Sequence, residues 1–268
     1  MLIRTWNVFH GNAHPPERHA FLEQVVRLAT EDAPAAVCLQ ELPAWALSRL
    51  ERWTGFRAVG AVGARPSVGP FPASAEVGRV LTDLHHGRLR SLFAGQANAI
   101  LVAPEFALVD ERVLELNAHD FRRRESRRLG LRPVTRLAWG KERRVCIVLR
   151  LRARDSTLVL ANLHGTSFPD KRLANAELFR AATFVEAFAD PGERVVLAGD
   201  FNLTVRNSSF LRRLQTPEWA FAGATATGID HVLSRNLDGS APTRWPVERR
   251  RVAGRVLSDH APVERRFE

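Results

Sequence analysis

Residues 194–202 read Arg-Val-Val-Leu-Ala-Gly-Asp-Phe-Asn, and this stretch carries more information about the fold than any other part of the chain. Its apolar run predicts a buried strand over residues 194–198. Gly199 predicts a turn after the strand, which would hold Asp200 and Asn202 close together at the rim of a sheet. The stretch therefore indicates a ligand site at a strand end, and it is equally typical of an Asx-turn without a ligand.

The elements around this strand alternate between helical and extended patterns. An amphipathic helix is predicted from about Asp170 to Ala189. Further buried strands are predicted at residues 2–6 and 36–39, with a helix from about Glu17 between them. Because the alternation runs from end to end without a repeat or a low-complexity linker, we expect one α/β domain over residues 1–268.

The middle of the chain is rich in extended patterns. Residues 62–72, with three prolines and two glycines, predict a loop, and a helix is predicted to follow it up to about Phe93. The next pattern predicts a meander of four strands at about 98–103, 108–116, 144–152 and 157–163.

The predicted meander has a consequence for the arginines beside it. If one strand ends at His164, its antiparallel neighbour starts at the same edge of the sheet, so Arg143 and Arg144 are expected at that edge. The preceding residues, about 117–141, are predicted to form a loop insertion that overhangs the same edge.

The composition places the chain among globular proteins. Its 268 residues are 45% hydrophobic and 25% charged, which excludes the disordered and fibrous classes. Cys38 and Cys146 lie in apolar runs, and we interpret them as buried hydrophobic residues rather than disulfide or zinc ligands. The chain start lacks a signal-peptide pattern, and no apolar stretch approaches the roughly 18 residues of a membrane span, so we expect a soluble, cytoplasmic protein without an integral membrane segment.

The net charge of +10 is concentrated in one part of the sequence. Residues 121–144 contain ten basic and two acidic residues. A run of this kind is often only a solvated surface. An arginine-rich loop beside a strand-end site is also what a protein needs to grip the backbone of a nucleic acid, because backbone contacts require charge and no base code.

Six short motifs, each at a predicted strand end or loop, follow one another in a defined order. They are Thr5-Trp6-Asn7-Val8, Gln40-Glu41, Asn162-Leu163-His164, Gly199-Asp200-Phe201-Asn202, Ile229-Asp230-His231 and Ser258-Asp259-His260. In this order they resemble the endonuclease/exonuclease/phosphatase superfamily, which includes deoxyribonuclease I-like and exonuclease III-like nucleases, sphingomyelinases and inositol-polyphosphate phosphatases. The resemblance covers the whole chain. It implies a four-layered α-β-β-α sandwich, with two mixed β-sheets packed face to face and helices outside.

The resemblance also implies a metal site. Phosphoester hydrolysis needs a hard cation on a phosphate oxygen, a positioned water and donors for the developing charge. By resemblance Glu41 is the firmest metal ligand, and Asn7, Asp259 and Asp200 offer further oxygen atoms of the kind that Mg²⁺ or Mn²⁺ prefers.

The remaining motif residues are expected to act on water, protons and phosphate. By resemblance Asp200 and Asn202 orient or deprotonate the attacking water, and Asp230 pairs with His260. His164 is expected to donate to the phosphate or to assist the leaving group.

The arginines are expected to bind the substrate. Arg143 or Arg144 would neutralise the phosphate bidentately, and the spacing to the Asn-Leu-His motif favours Arg144. Arg122, Arg123 and Arg124 would contact the rest of the substrate.

Two histidine positions are interpreted as structural or surface residues. His231 directly follows Asp230 and would face the opposite side of an extended strand. His85 and His86 lie in a helical pattern without partner acids at metal-ligand spacing, so a surface position is expected.

The sequence favours a metal-dependent nuclease or phosphodiesterase that acts on DNA or RNA. The alternative is a phosphatase or phosphodiesterase for a small-molecule or lipid-linked phosphate. A third possibility of another class is a non-catalytic polyanion-binding module, which would have lost the acid, amide and histidine residues that are present here. The substrate and the oligomeric state stay open at this point.

Overall fold

The computed structural model describes residues 1–17, 19–68, 71–74, 77, 79–80, 94–153 and 156–268. The chain divides into two compact units, Met1–Phe106 with Thr243–Arg266 (unit 1) and Ala107–Pro242 with Phe267–Glu268 (unit 2). Each unit contains a mixed β-sheet and helices, as expected for an α/β protein. A single domain over residues 1–268 stays a prediction.

Unit 1 is built on a six-stranded sheet. Its described α-helices include Leu22–Ala29 (α1) and Leu50–Thr54 (α2). Its strands, numbered along the whole chain, are Leu2–Asn7 (β1), Ala13–His14 (β2), Ala36–Leu42 (β3), Arg57–Ala64 (β4), Ser67–Val68 (β5), Phe71–Pro72 (β6), Gln96–Val102 (β7), Thr243–Arg244 (β13), Arg251–Val252 (β14), Arg255–Leu257 (β15) and Val263–Arg266 (β16). The sheet order is β13-β16-β1-β3-β7-β4, in which β1 and β3 are parallel and the other neighbours antiparallel.

The core of unit 1 lies between this sheet and α1. The helix buries Val25, Val26 and Ala29 at helical spacing, and Trp6 of β1 is fully buried in the same cluster. Helix α1 begins at Leu22 rather than near Glu17, because the backbone N–H of the preceding residue, Phe21, donates to Gly11 O at 2.7 Å. The strand predicted at residues 36–39 is present and continues to Leu42.

Unit 2 is built on a five-stranded sheet. Its strands are Ala107–Glu115 (β8), Val145–Ala153 (β9), Ser156–His164 (β10), Arg194–Asp200 (β11) and Asp230–Arg235 (β12), in the order β12-β11-β10-β9-β8. Only β10 and β11 are parallel among these neighbours, and a long helix connects them. The parallel pair therefore brings the carboxyl ends of β10 and β11 to one edge of the sheet, where both sequence motifs lie.

Four helices belong to unit 2. They are His119–Arg128 (α3), Pro133–Gly140 (α4), Arg172–Phe188 (α5) and Ser209–Leu214 (α6). Helix α5 buries the predicted apolar stripe, including Leu178, Ala181 and Val185, in the core of unit 2. It begins two residues later than predicted because the Asp170 carboxylate accepts a hydrogen bond from Arg172 N at 3.1 Å before the first turn.

The predicted four-strand meander is wrong at its first strand. Strand β7 pairs with β3 and β4 in unit 1, so the meander of unit 2 has the three strands β8, β9 and β10. An extended pattern predicts a strand but not its partners, and β7 is buried at every residue, as a central strand of either sheet would be. The predicted loop at 62–72 is also partly wrong, since β4 extends to Ala64 and β5 pairs with β6. The predicted helix up to Phe93, with His85 and His86, lies outside the described residues.

The predicted loop insertion at about 117–141 is wrong as well, because it forms the two helices α3 and α4. Arginine is a good helix former, and Pro133 occupies the first turn of α4, where its missing N–H costs nothing. Helix α3 buries only Ser126, so its sequence has no apolar stripe from which a helix could be predicted. The indole of Trp139 instead fixes α4 by packing with Leu131 and Leu173.

The cysteines and the hydropathy agree with the sequence-based interpretation. Both Cys38 and Cys146 are buried and neither forms a disulfide, and burial raises the pKa of the Cys146 thiol to about 12. Among the described residues, no helix combines the length and the apolar character that crossing a membrane requires.

Candidate active-site residues

The turn after β11 has a backbone that requires glycine. Gly199 has φ 137°, and a Cβ atom there would lie 1.9 Å from Leu163 O on the neighbouring strand. The chain then reverses through Asn202, at φ 53°, and Asn202 N donates to Asp200 Oδ1 at 2.9 Å. This bond is an Asx-turn, and it fixes the Asp200 carboxylate at the sheet edge.

His164 and Asp200 lie side by side at the ends of β10 and β11. Nε2 of His164 is 3.6 Å from Asp200 Oδ2, and both side chains are nearly inaccessible, at 3% and 2% exposure. Arg144 NH1 lies 3.1 Å from His164 Nδ1 and 3.4 Å from His164 Nε2. A guanidinium can only donate, so a neutral imidazole accepts from Arg144 through its unprotonated nitrogen.

Arg144 is held in this position by two further contacts. Its NH2 donates to Glu142 Oε2 at 2.7 Å, and its backbone N–H donates to Asn117 Oδ1 at 2.8 Å. Arg143 is exposed and pairs with Glu115 at 3.0 Å. The geometry therefore brings Arg144, and not Arg143, to His164.

One atom of Arg144 is unusual. Within the described part of the chain its Nε is buried and has no hydrogen-bond partner. A buried N–H donor without a partner costs free energy, and an oxyanion ligand would remove this cost.

Asp230 begins β12 directly opposite Asp200 in the antiparallel register, and both residues are buried. The next residue, His231, is fully buried, with Nδ1 accepting from Thr225 N at 3.0 Å and Nε2 at 2.9 Å from Leu203 O. Burial lowers the pKa of His231. The structural interpretation of His231 is confirmed.

The loop after His164 is attached to its surroundings by a buried acid that the sequence analysis did not identify. Glu177 on α5 accepts three hydrogen bonds of 2.7 Å, from Thr166 N, Thr166 Oγ1 and Trp139 Nε1. Burial nevertheless raises the pKa of Glu177. Its signal in the sequence is a single acid on the apolar face of an otherwise regular amphipathic helix.

In unit 1, Glu41 lies at an irregular point of β3. Its φ is 55°, and the β3–β7 register shifts between Leu39 and Leu42. The bulge turns the carboxylate out of the sheet, so its side chain is 23% exposed. Asn7 Nδ2 donates to Glu41 Oε1 at 3.0 Å, and Asn7 Oδ1 accepts from Phe9 N at 3.0 Å. In this arrangement the amide orients Glu41, and direct metal ligation by Asn7 stays a prediction.

The loop with Asp259 and His260 is fixed through its backbone. Ser258 Oγ donates to Asn7 O at 2.7 Å and accepts from His260 N at 3.0 Å. The indole N–H of Trp6 donates to His260 O at 3.0 Å. Asp259 itself is exposed. The predicted pairing of His260 with Asp230 joins residues of different units and stays a prediction.

The loop with Asp259 and His260 is also supported by Arg250, a residue that the sequence motifs did not predict. Arg250 is buried, and its NH1 donates to three carbonyl oxygens, Leu257 O and Ser258 O at 3.0 Å and His260 O at 2.8 Å. It follows one arginine and precedes another, so nothing in the sequence distinguishes it from its neighbours.

The chemistry of the donor atoms in unit 1 fits a hard divalent cation. Glu41 and Asp259 offer carboxylate oxygens, and Asn7 offers an amide oxygen. The Asn7 amide donates to Glu41 Oε1 at 3.0 Å and so orients the carboxylate. An oxygen-only set of this kind suits Mg²⁺ or Mn²⁺ better than softer metals.

The arginines of α3 differ from one another. Arg123 and Arg124 are exposed, whereas Arg122 is partly buried and its Nε donates to Asn117 O at 2.7 Å. Asn117 also accepts from Arg144 N, so one asparagine contacts both the helical segment and the phosphate-binding candidate.

The fold and these residues define a class of protein. It is an α/β protein whose strand ends carry acids, amides, a histidine and a buried arginine, and this combination is suited to phosphoester hydrolysis. The sequence matches the Endonuclease/Exonuclease/phosphatase family over residues 5–260, and the chain belongs to this family.

Solved structures agree with this assignment. An endonuclease/exonuclease/phosphatase from Bacteroides vulgatus has a TM-score of 0.67 at 13% identity, covering 100% of this chain and 98% of that one. Truncated Caenorhabditis elegans TDP2 has a TM-score of 0.61 at 14% identity, covering 99% and 96%. The mannosyl-6-phosphatase Bt3783 of Bacteroides thetaiotaomicron VPI-5482 has a TM-score of 0.63 at 13% identity, covering 100% and 99%. The expected fold class is confirmed. No curated protein sequence matches the chain significantly.

Proposed function

We propose that the chain is a divalent-metal-dependent hydrolase that cleaves phosphodiester bonds in DNA or RNA. The observation that carries the proposal is the buried group of Arg144, His164 and Asp200 in unit 2. It combines a carboxylate that can take a proton, an imidazole N–H that can donate one, and a guanidinium whose Nε has no partner among the described residues.

Asp200 is assigned to the attacking water. The Asx-turn with Asn202 holds one carboxylate oxygen, and His164 Nε2 lies near the other. A carboxylate fixed in this way can orient a water molecule and accept its proton. Asn202 Nδ2 donates to Gly165 O at 3.0 Å, which ties the turn to the loop after His164.

His164 and Arg144 are assigned to the phosphate. The guanidinium provides parallel donors for two phosphate oxygens, and its unpartnered Nε would gain an acceptor. The imidazole N–H of His164 can donate to a phosphate oxygen or to the departing oxygen as charge develops there.

The residues of unit 1 are assigned to the metal. When bound, a divalent cation neutralises charge on the phosphate oxygens and lowers the barrier to attack. Glu41 would hold it together with Asp259 and Asn7, and Arg250 would keep the Asp259 loop in place.

A nucleic acid is the preferred substrate because of the basic helices. Residues 121–144 contribute ten of the chain's basic residues, and α3 leads from Asn117, a direct partner of Arg144. Arg122, Arg123 and Arg124 can contact backbone phosphates on either side of the cleaved bond.

A small-molecule phosphomonoester is the second candidate. It is favoured by the similarity to the mannosyl-6-phosphatase Bt3783, which extends over 99% of that protein's chain. In this case the buried arginine would bind the single phosphate, and the arginines of α3 would have no part in the reaction.

The test is cleavage of supercoiled plasmid and of a labelled single-stranded oligonucleotide in Mg²⁺, Mn²⁺ or EDTA. Asp200→Asn is the inactive variant, and Asp238→Asn, an exposed acid of the same unit, is the matched control. We expect metal-dependent cleavage by the wild type and the control, and none by Asp200→Asn.

Two other results would change the proposal. If neither nucleic acid is cut but 4-nitrophenyl phosphate releases phosphate in a metal-dependent way, the second candidate replaces the first. If no phosphoester is hydrolysed and the protein still binds the oligonucleotide, the chain is a polyanion-binding module and not an enzyme.

A further inference from the structure

Helices α3 and α4 line a cavity that does not include Arg144, His164 or Asp200. Its volume is about 530 Å³, within the range of ligand pockets. Arg122, Arg123 and His119 line it from α3, and Arg136 lines it from α4. Among the residues that line it in the described part of the chain there is no carboxylate. The cavity is therefore suited to an anion.

Its three arginines are prepared to different degrees. Arg122 is fixed, because its Nε donates to Asn117 O and its guanidinium lies against Gly140, where a Cβ atom would be 2.0 Å from NH1. Arg123 and Arg136 are exposed, and no ion pair or hydrogen bond of their side chains occurs within the described residues. Arg123 and Arg136 have no counter-charge among these residues, so they repel each other and the fixed Arg122 unless an anion lies between them.

The other cations of the same helices behave differently. Arg128 pairs with Glu125 at 2.7 Å. Arg124 does not line the cavity. It lies near Arg180, whose pKa is lowered mainly by burial and further by the charge of Arg124. Arg127 and Arg132 are exposed and do not line the cavity. The segment therefore contains a defined group of three arginines, and not a uniform charge run.

We infer that this cavity binds a backbone phosphate of a nucleic-acid strand, at a position other than the phosphate that is cleaved. The inference rests on the proposed function, since it takes the substrate to be a strand with several phosphates. A phosphate offers acceptor oxygens in all directions, so it can accept from guanidinium groups on both helices at once. Asn117 links the cavity to Arg144, because its backbone O accepts from Arg122 Nε and its side-chain Oδ1 accepts from Arg144 N. Its Nδ2 donates to Glu142 O at 2.7 Å, which keeps this connection in place.

The experiment measures binding without turnover. A fluorescein-labelled single-stranded oligonucleotide is titrated in EDTA at several salt concentrations, and Kd is read from fluorescence polarisation. The cavity variant is Arg123→Gln/Arg136→Gln. The matched control is Arg127→Gln/Arg132→Gln, which removes the same charge from the same two helical regions but leaves the cavity lining intact. Circular dichroism and thermal melting establish that both variants fold.

We expect the cavity variant to bind about tenfold more weakly or worse, as for loss of a charged hydrogen bond. The slope of log Kd against log salt should fall by about 0.7, the value for one lost phosphate contact with a single strand. The control should change the Kd much less and keep more of the slope.

Equal weakening in both variants would overturn the inference, because net charge alone would then explain binding. An unchanged Kd in the cavity variant would overturn it as well. Hydrolysis of bis(4-nitrophenyl) phosphate by the wild type is measured separately. If that hydrolysis is absent while the cavity variant alone loses binding, the proposed hydrolase activity fails and the phosphate cavity stands.

Discussion

The two units each present a carboxylate at the end of a buried strand, and they surround it in opposite ways. In unit 2, Asp200 is nearly inaccessible, held by a backbone N–H, and has His164 and then Arg144 beside it. In unit 1, Glu41 is 23% exposed on a bulge, and the neutral amide of Asn7 donates to it. His10 lies farther away, at 3.8 Å from Glu41 Oε2.

This difference indicates two kinds of chemistry. A buried carboxylate beside donors is suited to orient water and to exchange protons, because its neighbours can respond to the change of charge. A partly exposed carboxylate is a hard oxygen ligand of the kind that a divalent cation prefers. The position at a strand end is common to both, so the surroundings and not the location determine the role.

The largest expected effect separates these roles directly. Asp200→Asn should lower kcat for bis(4-nitrophenyl) phosphate by about 10²- to 10⁴-fold at every metal concentration, because proton acceptance is lost. Glu41→Gln should instead regain activity as Mn²⁺ is raised, because it loses metal affinity first. Initial rates over a Mn²⁺ titration measure both. Rescue of Asp200→Asn by Mn²⁺, with none for Glu41→Gln, would reverse the two assignments.

The next effect concerns the loop that carries Asp259 and His260. Arg250→Ala removes the donor that Leu257 O, Ser258 O and His260 O share, and in the described part of the chain only His260 O keeps another side-chain donor, the indole of Trp6. The free energy of unfolding, measured in urea, should therefore fall by about 1.5 to 3 kcal/mol. Arg251→Ala is the matched control, since Arg251 is exposed and donates only to Gly254 O at 3.0 Å in the described structure. Equal losses in the two variants would remove the special role of Arg250.

A smaller effect tests the surroundings of Glu41. Asn7→Ala removes the donor to Oε1 and the acceptor for Phe9 N, so the Mn²⁺ concentration for half-maximal rate should rise by about 10- to 100-fold. The rate at saturating Mn²⁺ should fall much less. A loss of rate that saturating metal does not restore would indicate that Asn7 contacts the substrate.

The sequence predicts one of these strand ends better than the other. The Asp200 turn can be predicted because Gly199 must adopt a backbone conformation that other residues cannot, and because the strand before it is continuously apolar. Glu41 follows a similar strand, but its positive φ and the register shift arise from pairing with β7. A local pattern does not contain that partner, and for the same reason the sequence analysis assigned β7 to the wrong sheet.

The basic helices and the supporting residues mark the limit of sequence interpretation. Helices α3 and α4 are almost without buried residues, so the periodic signal on which helix prediction depends is absent. Arg250 resembles its arginine neighbours in every local respect and differs only in being buried. Glu177 was detectable, because an acid on the apolar face of a helix requires buried donors.

Glu177 gives the smallest expected effect. Its replacement tests whether the His164 loop is held by a group that itself titrates. Burial raises the pKa of Glu177 above its usual 4.5, so the folded state binds this proton more tightly than the unfolded state. Its contribution to stability is complete below pH 4.5 and is lost as the pH rises through the folded-state pKa.

The Glu177→Gln variant lacks this titration. The free energy of unfolding of the variant minus that of the wild type should therefore increase with pH above 4.5. Urea unfolding at a series of pH values measures the difference, in which the titrations of the other acids cancel. Glu186→Gln, on the same helix, should give a curve parallel to the wild type, and a flat difference for Glu177→Gln would mean that its three donors keep the carboxylate ionised throughout.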